Sequence, residues 1–420
     1  MNVNLIVLSI PIFFLLIGLE LLYDRIKNKK RYRLNDTFAN MSCGITEQVS
    51  GVFAKVFTIA AYDLVYQNFH IFNIPETWYW WVIAFMGVDF FYYWAHRTSH
   101  EVNLFWAGHV VHHQSEEYNL SVALRQSAMQ KVFTFYFYLP LALIGFKTEW
   151  FLLISAINLL YQFWIHTEAI GNLGPLEWLM NTPSHHRVHH GRNPKYIDKN
   201  HAGTFIIWDK MFGTFQKEEE RPTYGITTPL NSFNPVYAQV AHYGNIWNDL
   251  KQVKGLGNKL KLLFFKPGWL PAELGGYRAP QEVQKDTYQK FNITLPLRLN
   301  LYLFFQYLIA LGGTAFYLFQ QQTFDFQTRL WGAVMIFFAM AVLGLLFNGR
   351  KIAYYLELSR LIITIPFFVY LMGGIAWSNP ILISGIAWLL VSLFWLMPTY
   401  PLLTDNTELP HLGKSDASLN

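Results

Sequence analysis

Apolar runs long enough to cross a bilayer constrain this chain more than any other feature. The first, VNLIVLSIPIFFLLIGLELLY at residues 3–23, is followed by runs at 43–69, 78–95, 297–319, 330–347, 353–371 and 380–397. A hydrocarbon core takes about 20 residues of helix, and inside it every backbone N–H and C=O needs an internal partner. The expected fold class is therefore all-α, a polytopic integral membrane helical protein. Two shorter runs, 131–146 and 150–165, read as a shallow hairpin that goes out and comes back. The first run lacks a basic leader and a small-residue cleavage site, so it reads as an uncleaved span. Hydrophobic residues make up 53% of the chain and charged ones only 14%, well below the roughly 25% charged share of soluble domains.

Charge orients these spans. Arg25, Lys27, Lys29, Lys30, Arg31 and Arg33 stand against a single Asp24 in DRIKNKKRYR, which places this loop in the cytoplasm and the N-terminus outside. Asn348-Gly349-Arg350-Lys351 fits a second inner loop. The formal charge of +5 comes from such short blocks beside apolar runs, so it is not a nucleic-acid signal and no nucleic-acid partner is expected. Residues 167–291 are polar enough for a cytoplasmic segment, and within them KQVKGLGNKLKLLFFKPGW at 251–269 reads as an interfacial helix. Three regions are expected: N-terminal membrane helices at 1–76, a catalytic domain at 77–296, and C-terminal membrane helices with a tail at 297–420. In the last of these, Glu357 and Arg360 are three apart and suited to pair on one helix face. The tail from 404 reads as disordered and cytoplasmic.

Histidine spacing carries the chemistry. His96 and His100 are four apart; His109, His112 and His113 follow; and His186, His189 and His190 repeat that second pattern. Positions i, i+3 and i+4 share a helix face, so each group can aim several imidazoles at one point. His166 ends the second arm of the hairpin, level with the rest, and the charge topology brings all nine to the cytoplasmic face. His70 falls on the other side, and His411 lies in the tail; both read as incidental. Nine nitrogen ligands are enough for two metals with open positions. They suit iron, copper, zinc or nickel rather than calcium or magnesium. The only cysteine, Cys43, allows no intrachain disulfide and removes thiolate from the ligand set. A metal-bound imidazole usually donates its other N–H to a carboxylate or carbonyl. Asp89, two turns before His96, and Glu101, directly after His100, are the candidate catalytic carboxylates, with Asp198 and Asp209 as further partners. Arg125 suits a phosphate, a cofactor or a helix C-terminus.

HRTSH, GHVVHH and SHHRVHH, with a membrane hairpin between the second and third, resemble the fatty acid hydroxylase/sterol desaturase superfamily of integral membrane di-iron enzymes. From about residue 85 to 215 the chain is most similar to the alkylglycerol monooxygenase-like branch, which cleaves glyceryl ethers. That resemblance, and not the spacing, implies two Fe ions, dioxygen, a membrane lipid substrate and a cytoplasm-facing site. It also implies an electron donor, tetrahydrobiopterin in that branch or otherwise a redox protein. The family's eight-histidine signature falls on His96, His100, His109, His112, His113, His186, His189 and His190, and His166 matches a further family histidine. Glu101 matches an acidic position beside the first box, while His185 and His201 read as loop or supporting residues. Two other readings share these features: a sterol or sphingolipid hydroxylase or desaturase, and a metal-binding membrane transporter. A transporter would place its ligands inside the bilayer along a path.

Overall fold

The computed structural model describes residues 5–281, 283, 288–371 and 380–403. His411 and the tail from 404 lie outside the described residues. Regular structure among the described residues is helical, apart from bridge residues at Met180, Phe205 and Arg350, the first two of which pair antiparallel. Contacts divide the chain into two units, Met1–Leu230 with Gln239–Lys290, and Asn231–Ala238 with Phe291–Asn420. Residues 1–76 and all the histidine boxes belong to the first unit.

In the first unit, α1 spans Leu5–Ile26 and α2 spans Leu34–Phe69. The run at 43–69 predicts a helix nine residues shorter than α2, and the reason is polarity. Asn35, Asp36, Asn40 and Ser42 are buried in protein rather than set in lipid. Asn40 donates to Asp36 (3.0 Å) and to Ser121 (3.1 Å), while Ser115 donates to Asp36 (2.8 Å). These partners cover a polar helix start that carries no apolar signal.

Helix α3, Trp78–Glu101, turns at Val102 into α4, Asn103–His113. The break has a local cause: the Asn103 backbone N–H donates to the Phe265 carbonyl (2.9 Å), not to the preceding turn. The first hairpin arm is irregular, with helical turns at Gln130–Thr134 and Leu139–Ile144 around a tighter turn at Phe135–Tyr138. The second arm is α5, Thr148–Trp164. Gly145 joins the arms at φ +120°, and a Cβ there would stand 2.0 Å from the Phe72 carbonyl oxygen, so only glycine fits. Tyr62, Ala84, Val88, Leu141, Phe146, Trp150 and Ile154 form the core between these helices. Trp81 stacks on Trp150 at 4.1 Å. The short α6 is Pro183–His189; α7 spans Pro235–Gln252 and α8 spans Leu256–Phe264.

The second unit holds α9, Leu297–Gln320, α10, Phe326–Phe347, α11, Lys351–Leu371, and α12, Pro380–Leu396. Arg360 bonds both oxygens of Glu357 (2.7 Å each), as their spacing predicts. Arg360 also reaches Gln306 (2.7 Å), and Gln306 donates to Ser392 (2.7 Å), so the buried pair ties three helices together. A satisfied network of this kind holds helices where apolar packing alone discriminates poorly. Helices Leu34–Phe69, Leu297–Gln320, Phe326–Phe347 and Leu382–Leu402 are long and apolar enough to cross a bilayer. The chain is a membrane protein.

Candidate metal centre

Four helices deliver the histidines. The last two turns of α3 supply His96 and His100, α4 supplies His109, His112 and His113, and α6 supplies His186 and His189 with His190 at its end. His166 follows α5 by two residues. The nine imidazoles fall into two groups, His96, His100, His109, His113 and His189, and His112, His166, His186 and His190. Within each group the ligand nitrogens lie within 4.8 Å of one another, and every member is buried. The groups share a wall: the His113 and His190 rings stack at 4.4 Å.

Tautomers follow from the acceptors behind the rings. His96 Nδ1 donates to the His201 carbonyl (2.7 Å), His112 to Arg125 (2.9 Å), His166 to Gln162 (2.7 Å) and His189 to Lys199 (3.0 Å). Each of these rings therefore presents a bare Nε2 lone pair to the interior. His112 and His166 aim such lone pairs at each other across 3.2 Å, an arrangement that repels without a cation to share. Nε2 atoms of His96 and His109 are 3.0 Å apart, and those of His186 and His166 also 3.0 Å. Nitrogen pairs this close suit two lone pairs turned toward one cation. His100, His189 and His190 each bury an Nε2 with no hydrogen-bond partner. The donor set fits a nitrogen-loving transition metal in each group. Burial pushes His112 down to about 4, and burial together with neighbouring imidazoles holds His113, His186, His189 and His190 well below the usual histidine range. All are neutral, as metal ligation requires.

Residues 81–214 match the pattern of the fatty acid hydroxylase family. The chain is 38% identical over 395 residues to alkylglycerol monooxygenase of Danio rerio, covering 91% of this chain and 88% of that one. It belongs to the alkylglycerol monooxygenase family. It is also 48% identical over 265 residues to the Homo sapiens protein of that name, and 47% identical over 279 residues to the Xenopus tropicalis one. Those two alignments cover 63% and 66% of this chain, and in them the chain spans about three fifths of its relatives' length, 59% and 61%. No solved structure matches the chain.

The residues behind the ligands differ from the carboxylate partners that the sequence suggests. Carbonyls, not carboxylates, receive the four N–H groups named above. Asp89 is fully buried but touches no imidazole. It accepts from Thr204 N (2.7 Å), Phe205 N (3.0 Å), Trp208 Nε1 (2.9 Å) and Asn158 Nδ2 (2.6 Å). Asp209 accepts from His201 N and Ala202 N (2.8 Å each). Burial pushes Asp209 up to about 6 against those donors. Two carboxylates thus clamp residues 201–208, and that loop offers His96 its acceptor. Gly203 belongs to the same clamp, since a Cβ there would meet Asp89 Oδ1 at 2.8 Å.

Glu101 pairs with Arg97 (3.2 Å) at a partly exposed position, and Asp198 pairs with Lys266 (3.3 Å). Arg125 meets a helix C-terminus: its Nε donates to Val111 O (2.7 Å), and its other nitrogens to Gln114 (2.8 Å) and Asn40 (3.1 Å). His185 faces Glu177 (3.7 Å) outside both groups. His201 lies within 5.1 Å of the His100 ring, also in neither group. Trp106, 4.9 Å from His100, and Tyr118, 5.2 Å from His190, wall the site. No sequence pattern singles out those two rings, because their positions follow from helix packing.

Proposed function

We propose that this protein is a membrane-bound di-iron monooxygenase that hydroxylates an ether lipid and so cleaves an alkylglycerol to a fatty aldehyde and a glycerol derivative. The observation that carries this reading is the convergence of nine buried, neutral imidazoles in two adjoining groups, in a chain akin to alkylglycerol monooxygenases. When bound, a pair of irons supplies the reduction of dioxygen and the removal of hydrogen from an unactivated C–H bond, which acid–base side chains cannot do. His96, His100, His109, His113 and His189 would hold one ion, and His112, His166, His186 and His190 the other.

The protein's own residues fix the setting. Carbonyls of residues 125, 162, 199 and 201 lock four imidazoles with Nε2 inward. Trp106 and Tyr118 help to keep bulk water from the centre. Hydroxylation at the chain carbon next to the ether oxygen takes one oxygen atom of O2 into the lipid and the other into water, using two electrons and two protons. The product is a hemiacetal, and breaking its C–O bond to the glycerol oxygen, with the hydroxyl proton passing to that oxygen, gives aldehyde and free glycerol hydroxyl. Reduced tetrahydrobiopterin is the donor we assign, on family kinship. The site faces the cytoplasm in this reading, supported by six basic residues in the loop from 24 to 33.

Aldehyde release from a labelled alkylglycerol, with oxygen and reduced pterin, tests the proposal beside a sterol and a ceramide. Ether cleavage with the other two lipids untouched is the expected result. Oxidation of sterol or ceramide with the ether intact would overturn the substrate, and activity only with a ferredoxin or cytochrome donor would overturn the pterin assignment.

A further inference from the structure

Helix α8 has two apolar faces, and the first unit covers only one. Leu262 is 1% exposed, packed among Ala107, Ile246, Val253 and Leu270. On the other side Leu256, Leu260 and Phe264, at successive four-residue steps, are 74%, 47% and 53% exposed. At 100° per residue these three make one stripe, and Lys259 and Lys261 flank it on opposite edges. Phe265, in extended backbone just past the helix end, is also 47% exposed. From Lys251 to Lys266 the chain carries five lysines and no acidic residue. Lys254, Lys259 and Lys261 make no ion pair among the described residues. Nearby, exposed Trp247 lies under the Lys251 ammonium at 5.4 Å, an amphipathic pairing common at a lipid headgroup layer.

We propose that α8 lies in the surface of the bilayer that the chain itself spans, with Leu256, Leu260 and Phe264 among acyl chains and the lysines on anionic lipid headgroups. Chemistry selects that occupant. An apolar stripe edged on both sides by Lys259 and Lys261, neither of them ion-paired among the described residues, matches an anionic interface rather than water or a second basic surface. The spanning helices of the same chain keep such a surface at hand.

The anchor is bolted to the metal centre. Asn103, the first residue of α4, donates its side chain to Leu262 O (3.0 Å) and its backbone N–H to Phe265 O (2.9 Å). His242 bonds the Asn103 side-chain oxygen (2.9 Å). These contacts satisfy carbonyls left bare at the end of α8. They tie the depth of α8 in the bilayer to α4, which carries His109, His112 and His113.

Site-directed fluorescence tests the placement on the full-length protein in nanodiscs. Cys43 is fully buried, so an added cysteine reports alone. Probes at Leu256→Cys, Leu260→Cys and Phe264→Cys are expected about 5–10 Å below the phosphates, quenched by lipid-borne quenchers and shielded from aqueous iodide. A probe at exposed Lys217→Cys serves as the aqueous reference. Anionic lipid should draw the three probes deeper than zwitterionic lipid alone, and a Lys254→Glu, Lys259→Glu, Lys261→Glu variant should lose that difference. Iodide quenching at 260 and 264 equal to that at 217 would overturn the proposal. So would depths indifferent to lipid charge, or shielding that appears only when two chains share a disc. None of these readings depends on turnover, so they stand apart from the assay of ether cleavage.

Discussion

Asp89 shows how one residue can read as catalytic in sequence and as structural in space. It sits two turns before His96, yet its two oxygens take four hydrogen bonds, three of them from the loop segment at 204–208 and one from Asn158. Removing it leaves those donors buried and unpaired, each costing about 1–3 kcal/mol and not additively. Asp89→Ala is therefore expected to cost on the order of 3 kcal/mol of stability and to lower bound metal, because the loop that offers the His201 carbonyl to His96 slackens. Thermal unfolding and metal content on one preparation check this. Lost activity with both quantities unchanged would instead mark Asp89 as a direct participant. The histidine boxes are legible because helix periodicity is local, and i, i+3 and i+4 suffice to put His109, His112 and His113 on one face. Partners of Asp89 lie 115 or more residues away along the chain, except Asn158 at 69, and no local pattern announces such pairings. Arg125 is half legible: a basic residue near a helix end is a sound expectation, but its Asn40 partner lies in α2.

At the scale of elements, α2 is the helix that sequence reads least well. Its second half is an apolar run, whereas its first half buries Asp36 and Asn40 against the turn that follows α4. Gly44 is the point of closest approach, where a Cβ would lie 2.4 Å from the Leu124 carbonyl oxygen. Backbone cannot yield there as a flexible side chain would. Gly44→Ala is expected to cost about 1–3 kcal/mol and to shift Leu124 and Arg125, whose carbonyl fixes His112. A lower melting temperature with a weakened second metal, measured together, is the outcome; an unchanged protein would show that α2 packs more loosely than this contact implies. The irregular arm at 130–144 has a related cause. Short apolar segments do not reveal their own breaks, and Gly145 becomes decisive only beside the 71–72 backbone that this arm meets.

For the whole molecule, the spans and the metal centre follow different rules. Hydropathy alone draws α9 to α12 nearly to their ends, since lipid demands continuous helix. It says nothing of how nine imidazoles from helices far apart in sequence meet in two groups. That meeting depends on the turn at Val102 and the clamp on residues 201–208. If this assembly holds two metals, the number of metal ions per chain will show it. Protein made in iron-replete cells and measured by elemental analysis should carry about two irons per chain, one for each histidine group. A single tightly held ion, or none, would contradict it.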